Sequence, residues 1–412
     1  MHVVIFEGSR LNALAPLSLS RPTFTLGAGT GTLLDKQLRF LKPSRVTLWV
    51  RPQFVDWVRA HIVPHIKVPT SLNTPLDDEL TLLTTGRTLY LSNVEREEAE
   101  CVVVEEGDLI RKAVVKRAGL KPEDVWNRTP QWMELFDLPR TMPQARFIDH
   151  PWDLISWNEE ALIVDSLAWR DHAKPAKEGP YHLVNGEDVL VEDGAMLGPG
   201  CVLDASKGPI MIGKAASIGA NAVLQGPCFV GQYAAIAPLA IIRPGTSIGP
   251  VCKVGGEVAN SIIFGASNKA HEGYLGDSYI GKWVNLGAGT TTSNLKNTYG
   301  EIDMQIGGKT IPTRRRFLGA IIGDHTKTAI GTRLTTGSYI GFNCMIATTA
   351  LTPKFVPSFS FLTDKGAERF NTEKAIEVAK TMFARRNRRW TEIEENLMRY
   401  IAKNARELEL SQ

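Results

Sequence analysis

A chain of 412 residues has room for two or three domains, each with a substantial core. Its 47 lysines and arginines nearly balance 44 aspartates and glutamates, and a net charge of +3 gives little electrostatic support for binding nucleic acid or membranes. No apolar stretch approaches the roughly 18 residues of a membrane span. The first residues carry a charge after a very short apolar run, which is typical of a first strand and not of a secretory signal. We therefore predict a cytoplasmic protein.

Residues 1–175 alternate short apolar runs with amphipathic segments. Four apolar runs predict strands at 2–6, 45–50, 88–92 and 100–104. Three amphipathic segments predict helices at 34–41, 54–65 and 108–118. This alternation favours an α/β domain, Rossmann-like in its layering, around a mostly parallel sheet.

Beyond residue 183 an aliphatic residue recurs at every sixth position. Eight of these residues keep strict register: Ile212, Ile218, Leu224, Val230, Ile236, Ile242, Ile248 and Val254. Neither the helical period nor strand alternation selects every sixth residue over so long a run. A fixed period of this kind predicts a hexapeptide parallel β-helix. The following position is usually small, as at Gly213 and Gly219, which we attribute to a sharp turn. The period predicts an architecture but no chemistry, because β-helices also serve as scaffolds.

Composition shifts divide the chain into three predicted domains. A stretch rich in Lys, Pro, Gly and Ala at 174–179 reads as a linker, so the boundaries are 1–175, 180–355 and 356–412. The last segment is helical and highly charged, with Thr391-Glu-Ile-Glu394 as a capping box. Four arginines, at 385, 386, 388 and 389, are interpreted as a solvated helix end.

The densest reactive chemistry lies between residues 243 and 300, where polar residues interrupt the hexads. Glu257, His271 and Asn285 are spaced 14 and 14 residues apart, and coils of a β-helix stack about 4.8 Å apart. We expect the three to share one edge. A neutral histidine is the usual general base for an amine, and a carboxylate can orient it. Asparagine amides and the N–H groups of a Gly-rich turn suit an oxyanion. The alternative is a surface histidine without a catalytic role.

Two motifs in this zone carry a family resemblance. The sequences His271-Glu-Gly-Tyr274-Leu-Gly-Asp277 and Asn285-Leu-Gly-Ala-Gly-Thr290 resemble the acetyltransferase half of the bifunctional UDP-N-acetylglucosamine pyrophosphorylase/glucosamine-1-phosphate N-acetyltransferases of the GlmU type. The resemblance implies a left-handed β-helix, acetyl-CoA as co-substrate, and a homotrimer whose active sites lie between subunits.

The resemblance also implies roles for single residues. His271 matches the catalytic base, Glu257 the carboxylate near it, and Asn294 a residue beside the acetyl group. The remaining matches are Arg243, Tyr274 and Asn285 for the sugar phosphate, and Ala288 for acetyl-CoA. The chain departs from the family at Ala259, where a phosphate-binding lysine is expected, and at Leu295, which replaces an aromatic residue. A loop lysine further on has no clear equivalent. Lys269, Arg314, Arg315 and Arg316 are the candidates for the missing positive charge.

For the first domain the family implies a nucleotidyltransferase, with a Gly-rich loop, a phosphate-binding lysine and an aspartate that holds Mg²⁺. Here Phe6-Glu-Gly-Ser-Arg10 follows the first strand, Gly27-Ala-Gly-Thr-Gly31 is a weak second candidate, and Asn93 stands where the aspartate is expected. Segments 17–22 and 151–158 resemble a shortened, divergent bacterial branch of these enzymes. That likeness gives Arg21 as the candidate for nucleotide binding and Asn158 as the candidate for the metal.

The leading hypothesis is therefore a bifunctional enzyme of sugar-nucleotide synthesis. It would N-acetylate glucosamine 1-phosphate with acetyl-CoA and transfer a uridylyl group from UTP to give UDP-N-acetylglucosamine. One alternative is a nucleotidyltransferase for another sugar 1-phosphate or another nucleoside triphosphate, with the β-helix as a regulatory or oligomerising module. A further alternative is a structural β-helix that binds a partner.

Overall fold

The computed structural model describes residues 1–8, 11–105 and 109–410. It contains an α/β domain, a parallel β-helix and two C-terminal helices. The strands of the α/β domain are β1 His2–Phe6, β2 Gly27–Ala28, β3 Gly31–Thr32, β4 Arg45–Trp49, β5 Thr70–Leu72, β6 Thr81–Thr85, β7 Thr88–Leu89, β8 Cys101–Glu105, β9 Leu109–Val115 and β10 Arg146–Phe147. Its α-helices are α1 Leu33–Leu41, α2 Val55–His61, α3 Pro122–Asn127, α4 Pro130–Met133, α5 Pro151–Ser156 and α6 Asn158–Trp169.

The α/β domain is built on a six-stranded sheet with the order β5-β4-β1-β6-β9-β8. The first four strands are parallel, and β9 and β8 extend the sheet in antiparallel fashion. Helix α1 begins sharply because a capping box fixes its first turn. The Thr32 hydroxyl accepts from the Asp35 amide at 3.2 Å, and the Asp35 carboxylate accepts from the Thr32 amide at 2.7 Å. The predicted α/β layering is confirmed.

Two predicted elements of this domain are wrong. The segment 108–118, predicted as a helix, contains strand β9, and all seven of its residues are buried. Its charged residues Arg111 and Lys112 made the segment look amphipathic, but tertiary contacts bury them. The predicted strand at 88–92 is only β7, which pairs with β10 outside the main sheet. The strand of the main sheet is β6, whose three threonines hide its apolar character.

The β-helix presents three faces. Strands of the first face are Lys174–Pro175, Val189–Val191, Ile210–Ile212, Cys228–Val230, Thr246–Ile248, Ile262–Gly265, Tyr279–Lys282, Ala320–Ile322, Ser338–Ile340 and Phe355–Val356. Strands of the second face are His182–Val184, Val202–Asp204, Val223–Gln225, Ile241–Ile242, Glu257–Ala259 and Tyr274–Gly276, continued by Thr291–Thr292 and Arg333–Leu334. Strands of the third face are Met196–Leu197, Ser217–Ile218, Ala235–Ile236, Lys253–Val254, Asn268–Lys269, Lys327–Thr328, Met345–Ala347, Ser360–Thr363 and Gly366–Arg369. A hairpin of Ile302–Ile306 and Lys309–Arg315 interrupts the coils.

The hexad residues form the interior of these coils. All eight aliphatic residues at the six-residue period are between 0 and 3% exposed and belong to one core cluster. Strands one coil apart pair in parallel and in register, for example Ile212 with Val230 and Val230 with Ile248. The predicted fold class, a left-handed hexapeptide β-helix between an α/β domain and a helical tail, is confirmed.

The small residue after each hexad aliphatic has a different cause from the one predicted. A Cβ atom on Gly219 would lie 2.4 Å from the backbone nitrogen of Pro238 in the next coil, and one on Gly213 would lie 2.7 Å from that of Gln232. Close approach of adjacent coils therefore requires glycine there. The left-handed turn residues come two positions later, at Ala215 and Asn221, with φ of 54° and 56°.

The C-terminal segment folds back on the first face. After the last strand, helices α7 Thr372–Ala384 and α8 Glu392–Leu410 pack against the core that the β-helix shares with α5 and α6. The capping box is present in part, because the Glu394 carboxylate accepts from the Thr391 amide at 3.0 Å. In the part of the chain that the structure describes, no helix is both long and apolar enough to cross a membrane.

Candidate active site

Three predicted site residues line up on the second face. Glu257 and Tyr274 begin strands on adjacent coils and pair directly in the sheet. Arg243 follows the strand one coil earlier, and its Nε lies 2.6 Å from Glu257 Oε1. Both side chains of this ion pair are substantially exposed, so water screens their attraction. A bound anion can therefore compete with Glu257 for the guanidinium at little cost.

Asn294 connects Tyr274 to Asp277, a residue to which the sequence assigned no role. Asp277 accepts from Asn294 Nδ2 at 2.6 Å and from Asn260 Nδ2 at 2.7 Å. Asn294 Nδ2 also donates to the Tyr274 hydroxyl at 3.0 Å, which leaves that hydroxyl to donate its own hydrogen elsewhere. Burial and the charge of Asp277 raise the pKa of Tyr274, so the phenol stays neutral. The inclusion of Asp277 in the resembling motif was the only signal for it in the sequence.

His271 lies at the corner between the second and third faces. Its side chain is exposed, and its loop is clamped between two neighbouring coils. The Glu257 amide donates to the Gly273 carbonyl at 3.3 Å on one side. On the other side, a Cβ on Gly273 would lie 2.2 Å from the carbonyl oxygen of Thr290. We call residues 271–273 the catalytic corner, after the role that the resemblance predicts for His271.

Lys269 fixes this corner. Its Nζ donates to the carbonyl of Gly255 at 2.7 Å and to the carbonyl of His271 at 3.1 Å. Burial lowers the pKa of Lys269 to about 8, against the opposing charges of Glu272 and Glu257. Its ammonium is thus occupied by the backbone of the corner, which argues against its use as the missing phosphate-binding lysine.

Asn285 lies on the other side of the catalytic corner from Glu257. It bridges Asn268 and Lys327 on the third face, and Asn268 Nδ2 donates to its Oδ1 at 3.2 Å. Glu257, His271 and Asn285 therefore flank one corner of the β-helix, with Glu257 on the second face and Asn285 on the third. The 14-residue spacing falls short of a full coil, because the pairs Glu257–Tyr274 and Asn268–Asn285 are each separated by 17 residues. His271 lies between the second face, which carries Glu257, and the third face, which carries Asn285.

A cavity of about 450 Å³ opens between the third face and α7. Its wall includes Asn285, Lys253 and Lys327 from the β-helix and Arg385 and Arg386, which directly follow α7. Arg386 donates to Asn268 Oδ1 at 2.7 Å. This arginine is therefore not part of a solvated helix end, as the charge run had suggested. Ala288 lies at the same corner of the β-helix as His271, and its carbonyl accepts from the Gly331 amide at 2.7 Å.

The carboxyl edge of the main sheet carries arginines where the resemblance implies a metal site. Arg87 follows β6, and it lines a small cavity with Gly8, Arg111 and Arg128. Asp149 accepts from Arg111 at 2.6 Å. Asn93 is exposed in the loop after β7, so its expected place at the metal edge is wrong. The missed strand β6 caused that error. Ser9 and Arg10 of the first Gly-rich candidate lie outside the described residues.

The described residues at this edge of the sheet do not provide a set of ligands suited to Mg²⁺. Magnesium takes oxygen ligands in near-octahedral geometry, usually from one or two carboxylates. The carboxylate of Asp149 is engaged by arginine, and no cluster of three His, Cys, Asp or Glu placed to hold a metal occurs in residues 1–8, 11–105 or 109–410. The arginines suit phosphate oxygens instead.

The two N-terminal candidates have structural partners. Asn158 is fully buried: its Oδ1 accepts from the Gly29 amide at 2.7 Å, and its Nδ2 donates to the Gly245 carbonyl at 2.8 Å. Arg21 is also buried and forms an ion pair with Asp324 of the β-helix. Both therefore join the α/β domain to the β-helix. This geometry gives no support to Asn158 as a metal ligand or to Arg21 as a nucleotide-binding residue of the sheet edge.

The second Gly-rich candidate is likewise occupied by protein contacts. The Gly27 amide donates to the Tyr279 hydroxyl at 2.9 Å, and the Thr30 amide donates to Asp165 Oδ2 at 2.8 Å. Together with the bond from Gly29 to Asn158, these contacts use the N–H groups that a phosphate would need. The motif docks one domain on the next.

Comparisons with known proteins agree with this division. Residues 3–171 match the family model "Sugar nucleotidyl transferase". The chain is 33% identical over 196 residues to a bifunctional sugar-1-phosphate nucleotidylyltransferase/acetyltransferase of Sulfurisphaera tokodaii, covering 47% of this chain and 42% of that protein. It is 37% identical over 132 residues to the bifunctional protein GlmU of Methanococcus vannielii, covering 32% of each chain.

A third relative is the bifunctional protein GlmU of Ruthia magnifica, at 40% identity over 114 residues, covering 27% of this chain and 24% of that protein. The matched segments thus span less than half the length of these curated relatives. The chain is similar to bifunctional nucleotidylyltransferase/acetyltransferases of the GlmU type, and its N-terminal domain matches the sugar nucleotidyl transferase family.

Proposed function

We propose that this chain N-acetylates glucosamine 1-phosphate with acetyl-CoA and, through its N-terminal domain, transfers a uridylyl group from UTP to give UDP-N-acetylglucosamine. The observation that carries the proposal is the catalytic corner. It presents an exposed His271 beside the Arg243–Glu257 pair and the Tyr274–Asn294–Asp277 network. A β-helix that served only as a scaffold would need none of these polar contacts.

In the proposed acetyl transfer, Arg243 binds the sugar phosphate and the Tyr274 hydroxyl donates to the sugar. The amine nitrogen forms a bond to the acetyl carbon, and the bond from that carbon to the CoA sulfur breaks. His271 accepts the proton that the nitrogen loses and delivers it to the leaving thiolate. Asn294 acts through Tyr274, because both of its amide hydrogens are already donated.

The second activity rests on the family match and on the arginine cluster at the sheet edge. Arg87, Arg111 and Arg128 line a small cavity at that edge, and guanidinium groups suit phosphate oxygens. Mg²⁺ serves nucleotidyl transfer by offsetting charge on the phosphates. Because the described residues there do not fit Mg²⁺, we expect uridylyl transfer to be the weaker of the two activities.

The test of the function is direct. Purified protein is incubated with acetyl-CoA and glucosamine 1-phosphate, and free thiol is followed over time. We expect thiol release that depends on the sugar phosphate. In a second arm, UTP and N-acetylglucosamine 1-phosphate are supplied and pyrophosphate is measured with and without Mg²⁺. Absence of sugar-dependent thiol release would refute the acetyltransferase assignment. Rapid Mg²⁺-dependent pyrophosphate release would refute the expectation that uridylyl transfer is the weaker activity.

We also expect a homotrimer. Large apolar side chains lie exposed along the edge that carries the catalytic corner: Leu239 is 73%, Ile330 80% and Leu351 57% exposed. Exposed apolar side chains at one edge would be covered where copies of the chain meet. Light scattering at micromolar concentration should report three times the mass of one chain. Ile330→Lys should dissociate the assembly and reduce acetyl transfer, whereas Met142→Lys, at an equally exposed position in the first domain, should do neither. A monomeric wild-type protein would contradict a shared site.

Lys269→Met is expected to impair acetyl transfer through the backbone. The change removes two charged hydrogen bonds to the corner carbonyls, each worth about 1.5–3 kcal/mol. Mobility of the His271 loop should lower kcat by about 10-fold or more, since losing 1.4 kcal/mol of transition-state stabilisation costs tenfold. The KM for sugar phosphate should change little. Lys214→Met, at an exposed position, is the control. A normal kcat for Lys269→Met would show that the ammonium does not position His271.

A further inference from the structure

A second cleft lies where the α/β domain, the β-helix and the C-terminal helices meet. Its volume is about 280 Å³, and we call it the junction cleft. The α/β domain contributes Arg21, the β-helix contributes Lys282 and His325, and the segment between α7 and α8 contributes Arg388 and Trp390. None of these residues belongs to the catalytic corner or to the sheet edge, so the cleft is separate from both proposed sites.

The carboxylates of the junction cleft are already engaged. Asp324 accepts from the Ser20 hydroxyl at 2.8 Å and from the Lys282 amide at 2.7 Å, and it pairs with Arg21. Glu394 lies 2.7 Å from His61 Nε2 and accepts from the Thr391 amide. Three cationic side chains, Arg21, Lys282 and Arg388, line the same cleft. Positive charge is therefore in excess there.

Buried polar atoms of the cleft also lack partners. Arg21 has a side chain only 4% exposed, and its Nη1 finds no hydrogen-bond acceptor among the residues that the structure describes. Nδ1 of the buried His325 likewise has no hydrogen-bond partner within the described part of the chain. Burial lowers the pKa of His325 to about 3, so the ring is neutral. A buried donor without an acceptor costs stability, which a bound anion would recover.

Aromatic rings form the other wall. Trp283 stacks on Phe383 with ring centroids 4.3 Å apart, and Phe383 meets Trp390 edge-on at 5.0 Å. Trp57 and Phe342 also line the cleft. Apolar aromatic walls with a few convergent polar groups are the usual lining of small-molecule sites, and a planar base stacks well on such rings.

We infer that the junction cleft binds a nucleoside monophosphate, with its phosphate on Arg21, Lys282 and Arg388 and its base against the aromatic wall. A ligand there touches all three parts of the chain at once. Its binding should therefore raise the melting temperature of the full-length protein, and the rise should continue with the logarithm of the ligand concentration above the Kd.

The experiment titrates full-length protein with AMP, adenosine and inorganic phosphate by calorimetry. We expect AMP to bind at least 10-fold more tightly than phosphate, and adenosine more weakly than AMP. Arg388→Gln, at an exposed position, and Lys282→Gln should each weaken AMP binding by at least 10-fold. The control Arg406→Gln, exposed on α8, should leave it unchanged.

Arg128→Gln at the sheet edge separates this cleft from the proposed nucleotide site. AMP binding that survives Arg128→Gln and falls in Arg388→Gln supports the inference. AMP binding that falls only in Arg128→Gln overturns it, as does phosphate binding equal to that of AMP, because the aromatic wall would then contribute nothing. Failure here leaves the acetyltransferase assignment untouched, since the thiol-release assay requires no nucleotide.

Discussion

His271→Ala is expected to lower the kcat of acetyl transfer by about 10²–10⁴, the usual loss for a missing general base. The imidazole is exposed at the corner between two faces of the β-helix, while its backbone carbonyl is held by Lys269 Nζ at 3.1 Å. Removing an exposed ring takes nothing from the stacked core, so the melting temperature and the assembly should be unchanged. The measurement is thiol release at saturating acetyl-CoA and glucosamine 1-phosphate.

Two further variants make the result specific. His182→Ala removes another exposed histidine from an early coil of the same β-helix, and its kcat should equal that of the wild type. Arg243→Ala should act mainly through the KM for sugar phosphate, because a phosphate contact is felt equally in the ground and transition states. A near-normal kcat for a well-folded His271→Ala protein would show that the proposed mechanism is wrong.

The β-helix was predictable because its signal is local and repeated. Each hexad residue, such as Ile212 or Val230, meets the same environment one coil later, so the sequence repeats the requirement. The candidate site could be located in the sequence for a related reason. His271, Tyr274 and Asp277 lie within one short segment, whose order along the chain is preserved as the chain rounds one corner of the coil.

Other features depend on partners far away in the chain and left no local pattern. Arg21 pairs with Asp324 across 303 residues, and Asn158 reaches Gly245 across 87. The resemblance of their segments to a divergent branch of the family made both candidates for site residues, but a resemblance does not show whether the partner of a polar residue is a ligand or another domain. Arg111 also contributed to a wrong prediction. Its buried charge in strand β9 was interpreted as part of the polar face of a helix.

The largest effect on stability is expected from Asp165→Ala. Asp165 is buried in α6 and accepts from Lys36 Nζ at 2.8 Å, from Arg39 at 3.1 Å and from the Thr30 amide at 2.8 Å. Lys36 is itself only 2% exposed. Removing the carboxylate strands the Lys36 charge away from water, and breaking a buried pair in this way costs about 3–5 kcal/mol.

The measurement is the free energy of unfolding of the α/β domain from its denaturant midpoint, followed by a tryptophan or circular-dichroism signal. Asp171→Ala, an exposed aspartate just beyond α6, serves as the control and should change stability by less than about 0.5 kcal/mol. The same carboxylate also accepts from the Thr30 amide, so its loss frees the Gly-rich segment 27–31 from α6 as well. A loss of stability for Asp165→Ala no larger than that for Asp171→Ala would show that the buried Asp165–Lys36 pair contributes little to the stability of the domain.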